Sequence, residues 1–540
     1  MNTEIEKNIF SDQPEIEYSS LIPYQERKAI GQFFTPFPIA QFMAEWIISS
    51  NNHAKTILDP GVGLGIFFRA IISQKGKESY NFIGYDIDDT ILKHAKQIFK
   101  ALPNVKVTLE KKDYLFNDWE NKYDGIICNP PYLKFHDYKN KNEILSVFES
   151  KLKMRLSGFT NIYTLFFLKS MNQLSDLGRA AYIVPSEFLN ADYGTKVKEY
   201  LIKSERLRFI IIIDFKTNVF NEAITTSSIL LFANDKHNTD VEFINIKSLD
   251  ELKALEYYIK SYPLCKTGRI IIKSNQLDPT KKWRIYYGNM NGNKYKNLVP
   301  LSIFGKVVRG IATGDNNYFC FSESRAKQYS IPDKYLLPCI TKANYAPRHF
   351  FTQDDFNRLK QEDKPVYLLN ALDLDDRNLL KYLQMGEKKG VNKKYLTSHR
   401  NPWYTIENRP PAPILVTVFS RGGLRFVRNE AKVHNLTSFH CVYIDPINSD
   451  KVDLLMAYLL TDVSQEIFND DKREYGDGLD KFEPNDLNNA KVINLSVIDK
   501  QTETKILEYY DTYRQKEIGN ENTKEIKNKL NAIFYDLLRR

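Results

Sequence analysis

Short apolar runs alternate with amphipathic stretches through the first 235 residues. The runs TILD (56–59), NFIGYD in the 80s, VKVTLE (105–110), YDGIICN (123–129), RAAYIVP (179–185), LRFIIIID (207–214) and TSSILLFAN (226–234) predict strands. TPFPIAQFMAEWIISS, before the first run, and DTILKHAKQIFKAL, between the second and third, carry helical spacing. Strands alternating with helices predict an α/β fold on a parallel sheet. No helical pattern separates the last two runs, so they are expected to form an antiparallel pair at the sheet edge.

After residue 240 the rhythm changes. VVRGIATGDNNYF, NPWYTIENRPPAPILV and FSRGGLRFVRN bring in Gly, Pro, Asn and aromatics, as expected of a second domain of loops and short strands. KILEYYDTYRQKEI and TKEIKNKLNAIFYDLLRR return to helical periodicity, broken at Gly519. The expected division is a first domain over 1–240, a connecting segment over 241–299, a second domain over 300–500 and a helical tail over 501–540.

A length of 540 residues agrees with two or three domains. The net charge of +9 is regional. Residues 1–240 are neutral overall, 261–440 carry +16 and 441–540 carry −6. A basic block of that kind suits a phosphate backbone, although a Lys-rich solvated surface has the same composition. The five cysteines (Cys128, Cys265, Cys320, Cys339, Cys441) are far apart and form no C-x-x-C pair. They argue against a disulfide framework and a zinc cluster, and a reducing cytoplasm is the simplest home. No apolar run is long enough for a membrane span, and the polar N-terminus lacks the pattern of a signal peptide.

ILDPGVGLGIFFRA passes from a strand through Gly61, Gly63 and Gly65 into a helix. Glycines there permit positive φ and let a ligand approach the backbone. The turn alone does not separate cofactor classes. Asp59 before it does more, because a carboxylate would repel a pyrophosphate. It suits a ligand carrying an amino group, such as the methionine half of S-adenosylmethionine. Asp86, ending the second strand, is placed for ribose hydroxyls. Asp113 follows the third strand and is placed for an adenine amino group, with Tyr114 or Phe116 beside the ring. Each aspartate alone has a plain alternative as a cap or turn residue.

The fourth strand ends in Asn129-Pro130-Pro131-Tyr132. Consecutive prolines fix an extended, rigid loop. An aromatic amino group is a poor nucleophile, because its lone pair is delocalised into the ring. Two fixed acceptors, the Asn129 side-chain oxygen and the Pro130 carbonyl, would draw the nitrogen towards tetrahedral geometry. Tyr132 would stack on an extruded base. Cys128 is expected to pack in the strand.

These motifs, in this order, resemble the gamma-class DNA amino-methyltransferases of restriction-modification systems over nearly the whole chain. GQFFTPFPIAQFM resembles the family segment before the glycine turn, which implies that Thr35 and Pro36 contact the methionine part of the cofactor. The glycine turn departs from the commoner D-P-A-C-G-S-G form at Gly61 and Val62. NVFNEAITTSSILLF resembles the last motif of the catalytic domain, where the resemblance makes Phe220 the second aromatic around the flipped adenine. The implied fold is a Rossmann-like class I S-adenosylmethionine-dependent methyltransferase sheet, seven-stranded and mostly parallel. A C-terminal mixed α+β target-recognition domain follows. VVRGIATGDNNYF, VHNLTSFHCVYI and REYGDGLDKFEPNDL resemble recurrent segments of such domains. Lys306, Arg309, Arg421 and Arg425 are candidates for phosphate or guanine contacts, and Asn316 and Asn435 for adenine edges.

The resemblance implies methylation of adenine N6 in specific double-stranded DNA sequences with S-adenosylmethionine, without a metal. It allows a separately encoded restriction endonuclease as partner. No nuclease motif stands out in the sequence. His434 and His440 have no third ligand near in sequence, so core or hydrogen-bonding roles are expected of them. Two alternatives stay open: methylation of RNA or of a protein glutamine, for which N-P-P-Y also serves, and a DNA-binding subunit with a decayed catalytic domain.

Overall fold

A computed structural model describes residues 8–539 except 50–54, 76–79, 103, 134–139, 157–159, 192, 214–226, 236–238, 265–269, 289–290, 373, 421 and 476–478. Cys265, Phe220 and Arg421 lie outside the described residues. The chain divides into two compact units, Met1–Gly288 and Asn289–Arg540.

The first unit is built on a nine-stranded sheet. Its strands are β1 (Thr56–Asp59), β2 (Asn81–Asp86), β3 (Lys106–Lys111), β4 (Tyr123–Cys128), β5 (Leu174–Pro185), β6 (Leu207–Ile213), β7 (Ser227–Ala233), β8 (Asp240–Ile246) and β9 (Ile270–Lys273). Their spatial order is β3-β2-β1-β4-β5-β7-β6-β8-β9. All seven expected strands are present. Strands β1 to β5 pair in parallel, and β7 runs antiparallel between β5 and β6.

The antiparallel pair is therefore real but is not the edge. Strand β8 continues the sheet parallel to β6, and β9 follows antiparallel. The helix Leu249–Lys260 between them buries Leu252, Leu255 and Ile259. Much of the expected connecting segment 241–299 thus extends the first unit. Charged residues inside DVEFINI and the shortness of IIIK hide this in the sequence.

Strand alternation explains the burial. On β6, Ile211 and Ile213 join one core while Ile210 and Ile212 join the other, and β7 divides Ile229 and Leu231 from Leu230 and Phe232 in the same way. A strand buried on both faces must be apolar at every position. The helix Phe37–Ile48 covers the first face, where the Trp46 indole donates to the carbonyls of Ala180 and Phe232 at 3.1 Å each. The helix Ile162–Gln173 covers the second.

The chain runs β1 to β3 in one direction and then returns, so β4 lies on the other side of β1. That reversal opens a crevice at the carboxyl ends of β1 and β4, where open α/β sheets bind ligands. The glycine turn follows β1 and Asn129 follows β4, so two motifs about 70 residues apart meet there.

In the second unit, five strands lie in the order Gly305–Arg309, Phe439–Ile444, Ile414–Thr417, Phe426–Asn429 and Phe350–Phe351. The helices Lys500–Ile518 and Lys524–Arg539 are not an appended tail. Ile506, Tyr510, Leu530, Phe534 and Leu538 are buried in one core with Val307, Ile414 and Val442. Gly519 caps the first of these helices, at the expected break.

Candidate active site

The turn after β1 needs two of its glycines for conformation. Gly63 and Gly65 have φ of +51° and +76°. A Cβ on Gly65 would lie 2.5 Å from the Phe99 ring. Gly61 has ordinary φ but faces Cys128 Sγ, 3.3 Å from where its Cβ would stand. The turn leads into the helix Ile66–Lys75 and forms one wall of a cleft of about 970 Å³, its open mouth included. That is the size of a small-molecule site.

Asp86, Asp113, Tyr114, Thr35, Gly61, Gly63 and Asn129 all line this cleft. Asp86 Oδ2 accepts from the Gly63 amide at 3.0 Å and Oδ1 from Asp88 at 2.9 Å, which fixes its carboxylate. Burial raises its pKa, offset in part by those amides. Asp113 Oδ1 accepts from the Leu115 amide at 3.0 Å, so it is a turn residue and a cleft residue together. Tyr114 is buried, with its hydroxyl bonded to Ser170 (2.8 Å) and Gln173 (2.5 Å). From behind, the buried Lys169 ammonium donates to the carbonyls of Tyr114 and Asn117, and burial pushes its pKa down to about 7. Phe116 is not among the cleft residues.

Asp59 is fully buried beneath the turn and does not line the cleft. Its Oδ1 accepts from the Gly61 amide at 3.1 Å and its Oδ2 has no partner. Burial pushes its pKa up to about 8. Pro36 is the N-cap of the helix Phe37–Ile48 and also stands off the cleft.

The decisive geometry is at Asn129. Its amide nitrogen donates to the Phe33 carbonyl at 2.7 Å and to Thr35 Oγ1 at 3.0 Å. A backbone carbonyl only accepts, so this fixes which end of the carboxamide is nitrogen. Asn129 Oδ1 is left buried and without a partner. Thr35, expected to touch the cofactor, thus also orients Asn129. The catalytic loop is bound a second time where the Tyr132 amide donates to the Gly31 carbonyl at 3.0 Å. The Tyr132 ring stacks on Phe33, with centroids 5.4 Å apart and planes at 28°. The Tyr132 hydroxyl donates to the Ile183 carbonyl at 3.3 Å. Gly31 has φ +69°, and a Cβ there would meet the Tyr132 backbone at 2.8 Å. Sequence reasoning missed Gly31 and Phe33, because their roles rest on backbone atoms and on a glycine outside the glycine turn. Cys128 is fully buried in the strand, as expected.

Buried oxygens without a hydrogen-bond partner gather on residues of this cleft: Asn129 Oδ1, Gln32 Oε1 and Glu15 Oε2. Such groups are costly unless a ligand completes them. An all-acceptor set calls for a ligand bearing N–H donors and positive charge. S-adenosylmethionine fits, with its ammonium, sulfonium, ribose hydroxyls and adenine amino group.

The candidate DNA contacts fare unevenly. Lys306 and Arg309 are exposed on an edge strand, three residues apart and hence on opposite faces. Asn316 is exposed, with its Oδ1 accepting from the Thr313 hydroxyl at 2.6 Å. Asn435 does not face outward. It is 2% exposed, donates to the Leu436 and Phe439 carbonyls at 3.2 and 3.1 Å, and accepts from the Cys441 thiol, so nothing remains to read a base. The Arg425 guanidinium is likewise turned inward, towards the carbonyls of Ala343 (3.1 Å) and Pro347 (3.4 Å). His440 Nε2 hydrogen-bonds with the Phe482 carbonyl at 2.8 Å.

Residues 7–261 match the model of the N-6 DNA methylases. Residues 290–530 match that of the type II methyltransferase M.Eco57I C-terminal domain. The chain is 51% identical to the type II methyltransferase M.AccI of Acinetobacter calcoaceticus, over 98% of this chain and 97% of the relative. The chain belongs to the N-6 DNA methylase family of type II methyltransferases. It is a DNA adenine methyltransferase of a restriction-modification system, and the family and fold support S-adenosylmethionine as its cofactor. M.XamI of Xanthomonas campestris pv. amaranthicola is 23% identical, over 86% of this methyltransferase and 85% of the relative. Two solved structures share the fold. The type IIL restriction-modification enzyme MmeI has TM-score 0.53 and 13% identity, over 92% of this methyltransferase and 73% of that chain. The type ISP enzyme LlaGI has TM-score 0.52 and 15% identity, over 93% and 56%. No helix among the described residues is long and apolar enough to cross a membrane.

Proposed function

We propose that this methyltransferase acts on adenine N6 in a base rotated out of double-stranded DNA, at a sequence read by residues 300–500. The observation that carries the reading is the orphaned Asn129 Oδ1, held by a carboxamide whose nitrogen is doubly engaged. A fixed acceptor of this kind takes one amino hydrogen of the adenine, and the Pro130 carbonyl takes the other. With both N–H bonds held, the nitrogen lone pair is directed out of the ring plane. Tyr132 offers its ring to the base, with Phe33 behind it. Phe220 is the candidate for the opposite wall.

When bound, S-adenosylmethionine supplies the activated methyl group. Thr35, Gly61, Gly63, Asp86, Asp113 and Tyr114 would hold it, with Gly65 shaping the turn and Asp59 supporting it from beneath. Lys306, Arg309 and Asn316 are the exposed candidates for DNA contact, and a separately encoded restriction endonuclease is the partner that such a system would use. Cofactor-dependent methylation of unmodified bacterial DNA, read as methylated nucleosides, tests the reading. A methylated RNA base or protein glutamine in its place would overturn it.

A further inference from the structure

The helix Gln13–Leu21 precedes every motif assigned above, yet it brings a carboxylate to the cleft. Glu15 is 5% exposed. Its Oε1 pairs with Arg69, on the helix that follows the glycine turn. Arg69 is itself fully buried, and its Nη1 donates to the carbonyls of Ile9 (2.5 Å) and Ser11 (2.9 Å), while its Nε has no partner. One arm of the guanidinium is fixed by backbone carbonyls and the other holds Glu15 Oε1, while Glu15 Oε2 has no partner. A buried carboxylate left half satisfied is unfavourable, and a cationic donor is what completes it.

Position along the cleft narrows the donor. Three residues before Glu15, Asp12 accepts from the Phe37 amide at 2.6 Å. Three residues after it, Tyr18 feels the negative charges of Asp86 and Asp88. Glu15 stands between these two ends, and its partner Arg69 lies over the Phe37 ring, 6.0 Å from the centroid, which ties Glu15 to the Thr35–Phe37 segment. The methionine end of S-adenosylmethionine belongs on that side, next to Asn129. We propose that Glu15 is a further cofactor-binding residue, whose free oxygen receives the ammonium group of the methionine moiety. The role that the sequence suggests for Asp59 then passes to Glu15, because Asp59 lies under the turn and off the cleft. Burial raises the pKa of Glu15 even beside Arg69, as expected of a carboxylate awaiting a second cation.

This rests on the cofactor reading of the cleft, and one pair of ligands separates the two. S-adenosylhomocysteine carries the ammonium, and 5′-methylthioadenosine lacks the amino-acid moiety. Both are titrated calorimetrically into the full chain and into Glu15→Gln, which keeps an oxygen for Arg69 but loses the charge. S-adenosylhomocysteine is expected to bind Glu15→Gln about 10- to 100-fold more weakly, the range of one charged hydrogen bond, with 5′-methylthioadenosine unchanged. Equal losses for both ligands, or no loss for either, overturn the proposal. Failure of the unmodified chain to bind S-adenosylhomocysteine overturns the cofactor reading itself. If Glu15→Gln does not fold, Glu15→Asp, which keeps the ion pair on a shorter arm, is read with the same ligands and the same criteria.

Discussion

The Asn129 carboxamide nitrogen donates to the Phe33 carbonyl at 2.7 Å, across 96 residues of sequence. Through that bond, and the stack of Phe33 on Tyr132, one residue orients both the acceptor and the base-facing ring of the catalytic loop. The free Asn129 oxygen is the consequence, and the chemistry rests on it.

Replacing Asn129 with Ala removes that oxygen without touching the glycine turn. Turnover is expected to fall by at least about 100- to 1,000-fold, the effect of losing one fixed transition-state acceptor. S-adenosylhomocysteine affinity should stay close to that of the parent chain. Loss of cofactor binding in this variant would place the loop wrongly.

Thr35→Val keeps the shape of the side chain but removes the second acceptor for the Asn129 nitrogen. The carboxamide then gains freedom to rotate. A drop in kcat of about tenfold, of the order of one hydrogen bond, is expected with little change in KM for S-adenosylmethionine. A change confined to KM would make Thr35 a cofactor contact alone.

Gly65→Ala adds a Cβ 2.5 Å from the Phe99 ring at φ +76°. Overpacking and strain together predict a loss of about 1–3 kcal/mol of stability, read from denaturant midpoints. An unchanged midpoint would show that the turn relaxes freely.

Asp59 gives a pH dependence with a defined sign. Its pKa in the folded chain is about 8, above the unfolded carboxylate value. A raised folded pKa contributes stability that is fully present below the unfolded pKa and is lost as pH rises towards 8. Ligand-free thermal stability should therefore decline between about pH 4 and 8 more steeply in the parent chain than in Asp59→Asn. Parallel profiles for the two proteins would remove Asp59 as the cause.

Arg309 and Asn435 should separate binding from folding. Reversing the charge at the exposed Arg309 is expected to weaken DNA binding and flatten its dependence on salt by about one unit of log–log slope. Asn435→Ala should destabilise the chain by about 1–3 kcal/mol, because two carbonyls and a thiol lose a buried partner. An unchanged salt slope for the first, or an altered sequence preference at unchanged stability for the second, would reverse these assignments.

Most of the first unit is legible in the sequence, because strands buried on both faces must read as unbroken apolar runs, as β6 and β7 do. Strands β8 and β9 are not: DVEFINI looks like a mixed segment because its buried Glu242 is satisfied by the Tyr258 hydroxyl at 2.6 Å, and IIIK is short. The motif residues Gly63, Asp86, Asp113 and Asn129 do meet in one cleft, because turns and strand ends carry their signal in side-chain type. Phe33 acts through a carbonyl, Gly31 through a close backbone contact, and Glu15 through a helix that carries no motif. Gly31 and Phe33 sit inside GQFFTPFPIAQFM, but side-chain type there does not reveal a backbone role, and Glu15 has no sequence signature. In the second unit the sequence identifies polar residues but not their direction. Asn435 and Arg425 turn inward to satisfy backbone groups, while Lys306, Arg309 and Asn316 remain outside.

The most direct test is to incubate the purified chain with unmethylated bacterial DNA and S-adenosylmethionine, digest the DNA to nucleosides and weigh them by mass spectrometry. N6-methyldeoxyadenosine is expected with the parent chain, and none above background with Asn129→Ala. Methylcytosine in its place, or methyladenine formed equally well by Asn129→Ala, would overturn the role given to Asn129.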